Sequence, residues 1–397
     1  MGGDGWLRRL GPWVGIGTSP AALMTGGGVG EGLRGAEAVL ALLVGVLLLG
    51  ALALTQGLLG QRTGRTLAQL TAGPLGETGS RRTASVVMVV MMVGWFGVNV
   101  GVAGVALARL LDLPDAAGVV LFAVVMLGIT GFGLGALSWT ALAAGLATTG
   151  LAAYGLHLAF AEHEVTLSGG QAGADPIGFV PAVVLVVGYG AAFSLRTPDF
   201  THDLVRPRHV LWCALAGLVV PTFAFALAGA ALQAVTGTWD LADVLRDLGS
   251  PEIAYLFAAI GFTGSVLTNI WSGGLSLSDA APQVGHRAAL VAVTVVGTVV
   301  AALDFSELML GWLTVMALAA PGLAAICVVH ALRGGGATPG WRLAGLSSWT
   351  SGFACGIALD MAGSSLALPV ATALPAVVYW VSGRAGERKL ADANAGG

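Results

Sequence analysis

The sequence predicts an all-α membrane protein of about twelve transmembrane helices, arranged as two five-helix halves of opposite orientation plus two C-terminal helices. Three observations carry this. Hydrophobic residues make up 56% of the 397 and charged residues only 10%, with a mean hydropathy of +0.85; a soluble chain carries roughly a quarter charged residues. Apolar stretches such as 36–57, 84–108 and 288–303 approach the ~20 residues that cross a bilayer. Lys and Arg also segregate. With the N-terminus in the cytoplasm, fifteen of the eighteen fall on inner segments, and only Arg34, Arg109 and Arg246 lie outside, a strong inside bias. A missed or invented span would reverse every later loop, so an even number of spans with both ends inside is expected.

Windows of apolar length place the spans at 11–30, 36–58, 84–110, 117–135, 138–160, 177–198, 209–235, 253–276, 287–304, 308–330, 342–360 and 365–382. The first reads GIGTSPAALMTGGGVGEG (15–32), where Pro20 and clustered glycines make a continuous helix costly. The second is an unbroken apolar run. The third contains VMMVGWFGVNVG (90–101), which sets Trp95 and a lone amide, Asn99, among glycines. The fourth and fifth are joined by a very short loop. The sixth, VVGYGAAFSLRTPDF (186–200), carries Gly188, Gly190 and Pro198 and is also expected to be interrupted. Spans one and six begin the two halves, and an odd number of helices per half inverts the second. Interrupted helices at matching positions of inverted halves mark a substrate and ion site at the bilayer midplane; two local bends are the simpler alternative. The eighth, GFTGSVLTNIWSGGLSLSDA (261–280), is dense in neutral oxygens, with Asn269 and Ser272 on one face. Helix-to-helix hydrogen bonding and cation coordination both fit that stretch.

The domain reading is a single transmembrane unit over 1–383: repeat one about 11–160, repeat two about 177–330, extra helices about 342–382, and a short disordered cytoplasmic tail at 384–397. The acidic outer loops at 161–175 and 240–252 read as solvated faces, and no convincing signal peptide precedes the spans. Cys213, Cys327 and Cys355 sit in apolar runs and read as small hydrophobes rather than as a disulfide or metal set. A net charge of −3 without a basic face argues against nucleic acid. No Asp, Glu, Lys or Arg lies at the centre of a span; Glu37, Arg109, Asp304, Glu307 and Asp360 are near ends. A carboxylate relay or a charged substrate would place one there. The site is therefore expected to be neutral and its substrate uncharged and polar. No nucleophile–base pair or metal set points to an enzyme.

GWFGVNVG in span three, VVGYGAAFSLRTPDF in span six and TNIWSGG in span eight resemble the cytosine permeases of the nucleobase:cation symporter-1 family, in order from about Trp13 to Gly383. The resemblance implies the inverted-repeat fold of sodium-coupled amino-acid transporters and cation-coupled import of a nucleobase or related planar heterocycle across the plasma membrane. It implies no cofactor beyond the coupling ion, sodium or a proton. Trp95 matches the aromatic that stacks on the substrate ring, and Asn99 falls where related hydantoin transporters place a ring-binding Gln. Tyr189 and Gly190 match the aromatic and small residue of span six in exchanged order; Pro20 and Asn269 complete the implied substrate set. For sodium, the resemblance implies carbonyls near Gly15 and Thr18, with Asn269, Ser272 and Gly273 from span eight. A hydroxyl is usual at the Gly273 position, and Met92 and Gly274 replace amides of the cytosine permeases. Other neutral heterocycles, such as a hydantoin, a ureide or a vitamin-precursor pyrimidine, remain open as substrates. So does a non-transporting scaffold or sensor with a degraded ion site, with Trp95 and Asn99 then serving as packing and helix glue.

Overall fold

The computed structural model describes residues 5–161, 177–302 and 309–395, and every regular element among them is a helix. The first span is split into α1 (Leu7–Gly17) and α2 (Pro20–Gly32). The second is α3 (Gly35–Thr63), followed by the short α4 (Leu67–Leu75), which Thr66 and Gln69 open with a capping box. The third is α5 (Glu77–Gly79), a π turn and α6 (Ser85–Leu111); then come α7 (Asp115–Gly131) and α8 (Leu134–Ala161). The second half holds α9 (Phe179–Arg196), α10 (Pro198–Thr201), α11 (Pro207–Trp212), a second π turn and α12 (Val220–Thr236). It continues with α13 (Leu241–Asp247), α14 (Pro251–Gly261), α15 (Thr263–Ala280), α16 (His286–Ala301) and α17 (Met309–Leu332); α18 (Leu343–Met361) and α19 (Ala367–Ala395) complete the chain. Seven of these helical stretches are individually long and apolar enough to cross a membrane, and three shorter apolar helices accompany them. With the split first span and α18, each of the expected spans has a helical counterpart.

The packing carries the internal symmetry. α2 packs on α12 as α9 packs on α3, α1 on α8 as α9 on α17, and α6 on α7 as α15 on α16. Exchanging each span for the one five later maps these pairs onto one another, and the α6–α15 pair maps onto itself. That is the contact pattern of two inverted halves related by an axis in the membrane plane. α18 and α19 pack on each other and against α17. Apolar rows such as Leu40, Leu47 and Leu48 on α3, Val120 and Val124 on α7, and Val295 and Val299 on α16 are exposed, as lipid-facing surfaces of a helical membrane protein are.

Four expectations need correction. The sixth span is not interrupted at Gly188–Gly190: α9 is continuous to Arg196 and turns only before Pro198. Its glycines serve close packing instead, since a Cβ on Gly188 would lie 2.1 Å from the Leu313 carbonyl oxygen. The tail is helical to Ala395, in keeping with its run of strong helix formers. Within the outer loop at 240–252, α13 buries Leu241, Val244 and Leu245 rather than lying solvated. Arg196, counted among the inner positive charges, is buried with Asp199 at 2.6 Å, both side chains 3% exposed or less. Cys213 and Cys327 are buried, whereas Cys355 is exposed. The loop at 162–175, Asp304 and Glu307 lie outside the described residues.

Candidate functional site

Helices converge where the first span breaks. A residue before proline is pushed out of the helical region, so Ser19 is extended (φ −65°, ψ 141°). Pro20 opens α2, where its missing N–H costs nothing, and Ser19 Oγ accepts the Ala21 N–H at 3.4 Å. The break leaves the last carbonyls of α1 without helical partners. Val14 C=O accepts the Thr18 N–H at 2.9 Å and the Thr18 hydroxyl at 2.8 Å. Ile16 C=O accepts the Ser19 N–H at 3.1 Å and the Tyr189 hydroxyl.

Three other helices each present two side chains one turn apart, and therefore on one face. α6 brings Trp95 and Asn99, α9 brings Tyr189 and Phe193, and α15 brings Ser265 and Asn269. With Ile16, Ser19, Ala21 and Met92, these line one small cavity. Trp95 and Tyr189 meet edge to face, centroids 6.0 Å apart and planes at 88°. Asn99 Nδ2 donates to Ser265 Oγ at 3.1 Å, and the Ser265 hydroxyl donates to the Phe262 carbonyl at 3.0 Å. Asn99 Oδ1 and Asn269 Nδ2 are buried without a partner. No lining residue is charged. The free space is about 20 Å³, room for roughly one water, so a planar ring fits only once the lining has moved apart.

Of the residues singled out in the sequence, Trp95, Asn99, Tyr189 and Asn269 come together here. Gly190 does not: a Cβ there would lie 2.7 Å from Leu49 Cδ2, so it faces α3. Pro20 packs against Gly261, whose Cβ would approach Pro20 Cγ to 2.5 Å. Among the positions implied for a cation, Gly15 lies where α1 touches α15, and a Cβ on Gly264 would come within 2.4 Å of Gly15 Cα. Thr18 spends its hydroxyl proton on Val14, and Ser272 Oγ is buried without a partner. Gly273 faces α16 and α6, its Cβ falling 2.8 Å from Val293 Cγ1 and 3.3 Å from Met92 Cβ. No group of three or more His, Cys, Asp or Glu is placed to hold a metal among the described residues.

Sequence reasoning missed Ser19, Phe193 and Ser265. The signal for the last two was present, since each lies four residues from a residue that was singled out. It also missed the charged pair below the cavity. Ser265, Asn269, Ser272 and Ser276 form one buried stripe of α15, and the stripe ends where Arg196 donates to Ser276 Oγ. Asp199 completes that end by accepting the Leu67 N–H at 2.9 Å.

The family model described as permease for cytosine/purines, uracil, thiamine, allantoin matches residues 5–338. Cytosine permeases of Escherichia coli O157:H7 and of strain K12 are 28% and 27% identical to the chain over 320 residues, 79% of this chain and 74% of theirs. Among solved structures, Mhp1, a nucleobase-cation-symport-1 family transporter, superposes in its closed, bromovinylhydantoin-bound form with a TM-score of 0.82 at 16% identity. That alignment covers 96% of this chain and 92% of Mhp1. The inward-facing form of Mhp1 gives 0.79 at 16% identity, covering 98% and 92%. A Na+-coupled sialic acid symporter gives 0.65 at 12% identity, covering 96% and 89%. These likenesses show the fold, the inverted-repeat architecture that the packing symmetry displays.

Proposed function

The chain belongs to the family of permeases for cytosine/purines, uracil, thiamine and allantoin, a transporter family rather than an enzyme family, and on that premise we propose a cation-coupled symporter for a neutral, planar heterocycle of the nucleobase type. One observation carries the reading. The uncharged cavity sets the edge-to-face pair of Trp95 and Tyr189 beside an orphaned amide oxygen on Asn99 and an orphaned amide N–H on Asn269. A heteroaromatic ring supplies both complements, a flat face for the aromatics and an edge that donates and accepts. Met92 is apolar where the resemblance expects an amide. Fewer edge partners than in the cytosine permeases leave room for a neutral heterocycle other than cytosine, such as a hydantoin, a ureide or a vitamin-precursor pyrimidine.

The residues present fit a loosely held monovalent cation. The broken end of α1 turns carbonyls and the negative pole of its dipole toward the break. Ser272, whose hydroxyl is unpaired, lies about 10 Å along α15 from Ser265, the residue that meets Ser19 at the break, and adds no ligand there. Gly273, the next residue, offers no side-chain oxygen and no room for one. Sodium held by such a set keeps water among its ligands; a proton is the alternative coupling ion. The distribution of Lys and Arg supports an orientation with both termini cytoplasmic, and the reading takes the direction as import across the plasma membrane.

The test is a thermal-shift screen of purified protein against cytosine, uracil, hydantoin and allantoin, with sodium or choline at equal ionic strength. A compound that binds only the folded protein raises its melting temperature. At least one is expected to do so, and more in sodium. No shift with any heterocycle in either salt would overturn the reading.

A further inference from the structure

We propose that Ser265 is the positioning residue that dictates which way the Asn99 carboxamide faces, and that it thereby makes the site select ligands presenting an N–H donor at that edge. The proposal rests on the cavity being the ligand site and deepens that reading. A hydroxyl has one proton to give and two lone pairs to receive with. The Ser265 proton goes to the Phe262 carbonyl at 3.0 Å. Its lone pairs receive Asn99 Nδ2 at 3.1 Å and the Ser19 hydroxyl at 3.4 Å. All its capacity is then used, and toward Asn99 it can only accept.

A carboxamide is nearly symmetric in shape, so packing alone does not choose between its two orientations. Ser265 chooses. Turned the other way, Asn99 would set its oxygen against the Ser265 lone pairs, at a position where Asn99 is 2% and Ser265 2% exposed. The amide N–H therefore faces α15, and Oδ1, buried and unpartnered, is left as an acceptor. Asn269 Nδ2, also unpartnered, adds a donor among the lining residues. The complementary ligand carries an N–H beside a carbonyl, the edge of a lactam, imide or ureide. A ligand whose N–H groups are methylated leaves Oδ1 buried without a bond, which a site built for hydrogen bonding rejects strongly. Ser19 ties the arrangement to the break in the first span, since it caps α2 while donating to Ser265.

Two compound pairs test this on the full-length protein: uracil against 1,3-dimethyluracil, and hydantoin against 1,3-dimethylhydantoin, with dissociation constants measured by titration calorimetry. The parent is expected to prefer the N–H compound of at least one pair tenfold or more. In Ser265→Ala and in the nearly isosteric Ser265→Cys, whose thiol is a weak acceptor, the amide is freed to turn and the preference should fall about tenfold. Affinity for the dimethyl compound should be unchanged or improved. Ser265→Thr keeps the hydroxyl and should keep the preference. A merely structural role would change stability or weaken both members of a pair equally. Unchanged preference in the Ala or Cys protein would overturn the role of Ser265 and leave the site reading standing. Failure of the parent to bind any of the four compounds would overturn the site reading, and this proposal with it.

Discussion

Replacing Trp95 bears on two quantities at once, the stability of the core and the proposed affinity for a heterocycle. The side chain is 5% exposed, belongs to the main core and meets Tyr189 edge to face. Truncating a core aromatic to alanine costs about 3–5 kcal/mol of stability, of which the aromatic pair accounts for about 0.5–1.5 kcal/mol. Stacking of a base on an aromatic is worth about 1–3 kcal/mol, or roughly 5- to 150-fold in Kd. Trp95→Ala should therefore fold less well and bind less well, and binding alone would not reveal the cause. Trp95→Phe is the sharper instrument, because it keeps an aromatic face and most of the packing. Its melting temperature should lie nearer the parent's, with a loss of affinity below about tenfold. The assay is titration calorimetry of the best heterocycle from the screen, on monodisperse protein whose melting temperature is recorded alongside. The expected order of affinity is Trp, then Phe, then Ala. Folded Phe and Ala proteins that bind as tightly as the parent would show that Trp95 never touches the substrate.

Two further outcomes follow from buried groups. Ser272→Ala removes the orphaned hydroxyl of α15, about 10 Å along the helix from the break in the first span, and should leave the dependence of heterocycle affinity on sodium, measured across a sodium series at fixed ionic strength, as steep as the parent's; a flattened dependence would place the ion at Ser272 instead. Arg196→Gln or Asp199→Asn leaves one member of a buried pair uncompensated and should destabilise by about 3–5 kcal/mol. The double substitution should cost less than the two single ones together, and additive melting-temperature losses would refute the coupling.

The spans were legible because lipid demands long apolar runs with internally satisfied backbones, and the arginine asymmetry favours an even number of them. Trp95, Asn99 and Asn269 were legible because an aromatic or an amide is conspicuous in so apolar a chain. What the sequence hid depends on neighbours far away in the chain. Gly188 and Gly190 look like helix breakers, yet Leu313 and Leu49 make them contact surfaces. Gly273 looks like a lost ligand, yet Val293 leaves no space there for the hydroxyl that would replace it. Ser265 is an ordinary serine until Phe262, Asn99 and Ser19 are set around it. Arg196 reads as one more positive charge at the inner end of span six because, although its partner Asp199 follows within a turn, its acceptor Ser276 lies 80 residues away.

The meeting of Gly15 with Gly264 has a mechanical consequence. Helices usually interlock through ridges of side chains, and sliding one past another means unseating each ridge from its groove. Here α1 and α15 touch through bare main chain, with no rotamer to release. At this point the crossing carries no interlocked ridge to resist displacement. A methyl group on either glycine would overlap the opposing backbone and force the two helices apart.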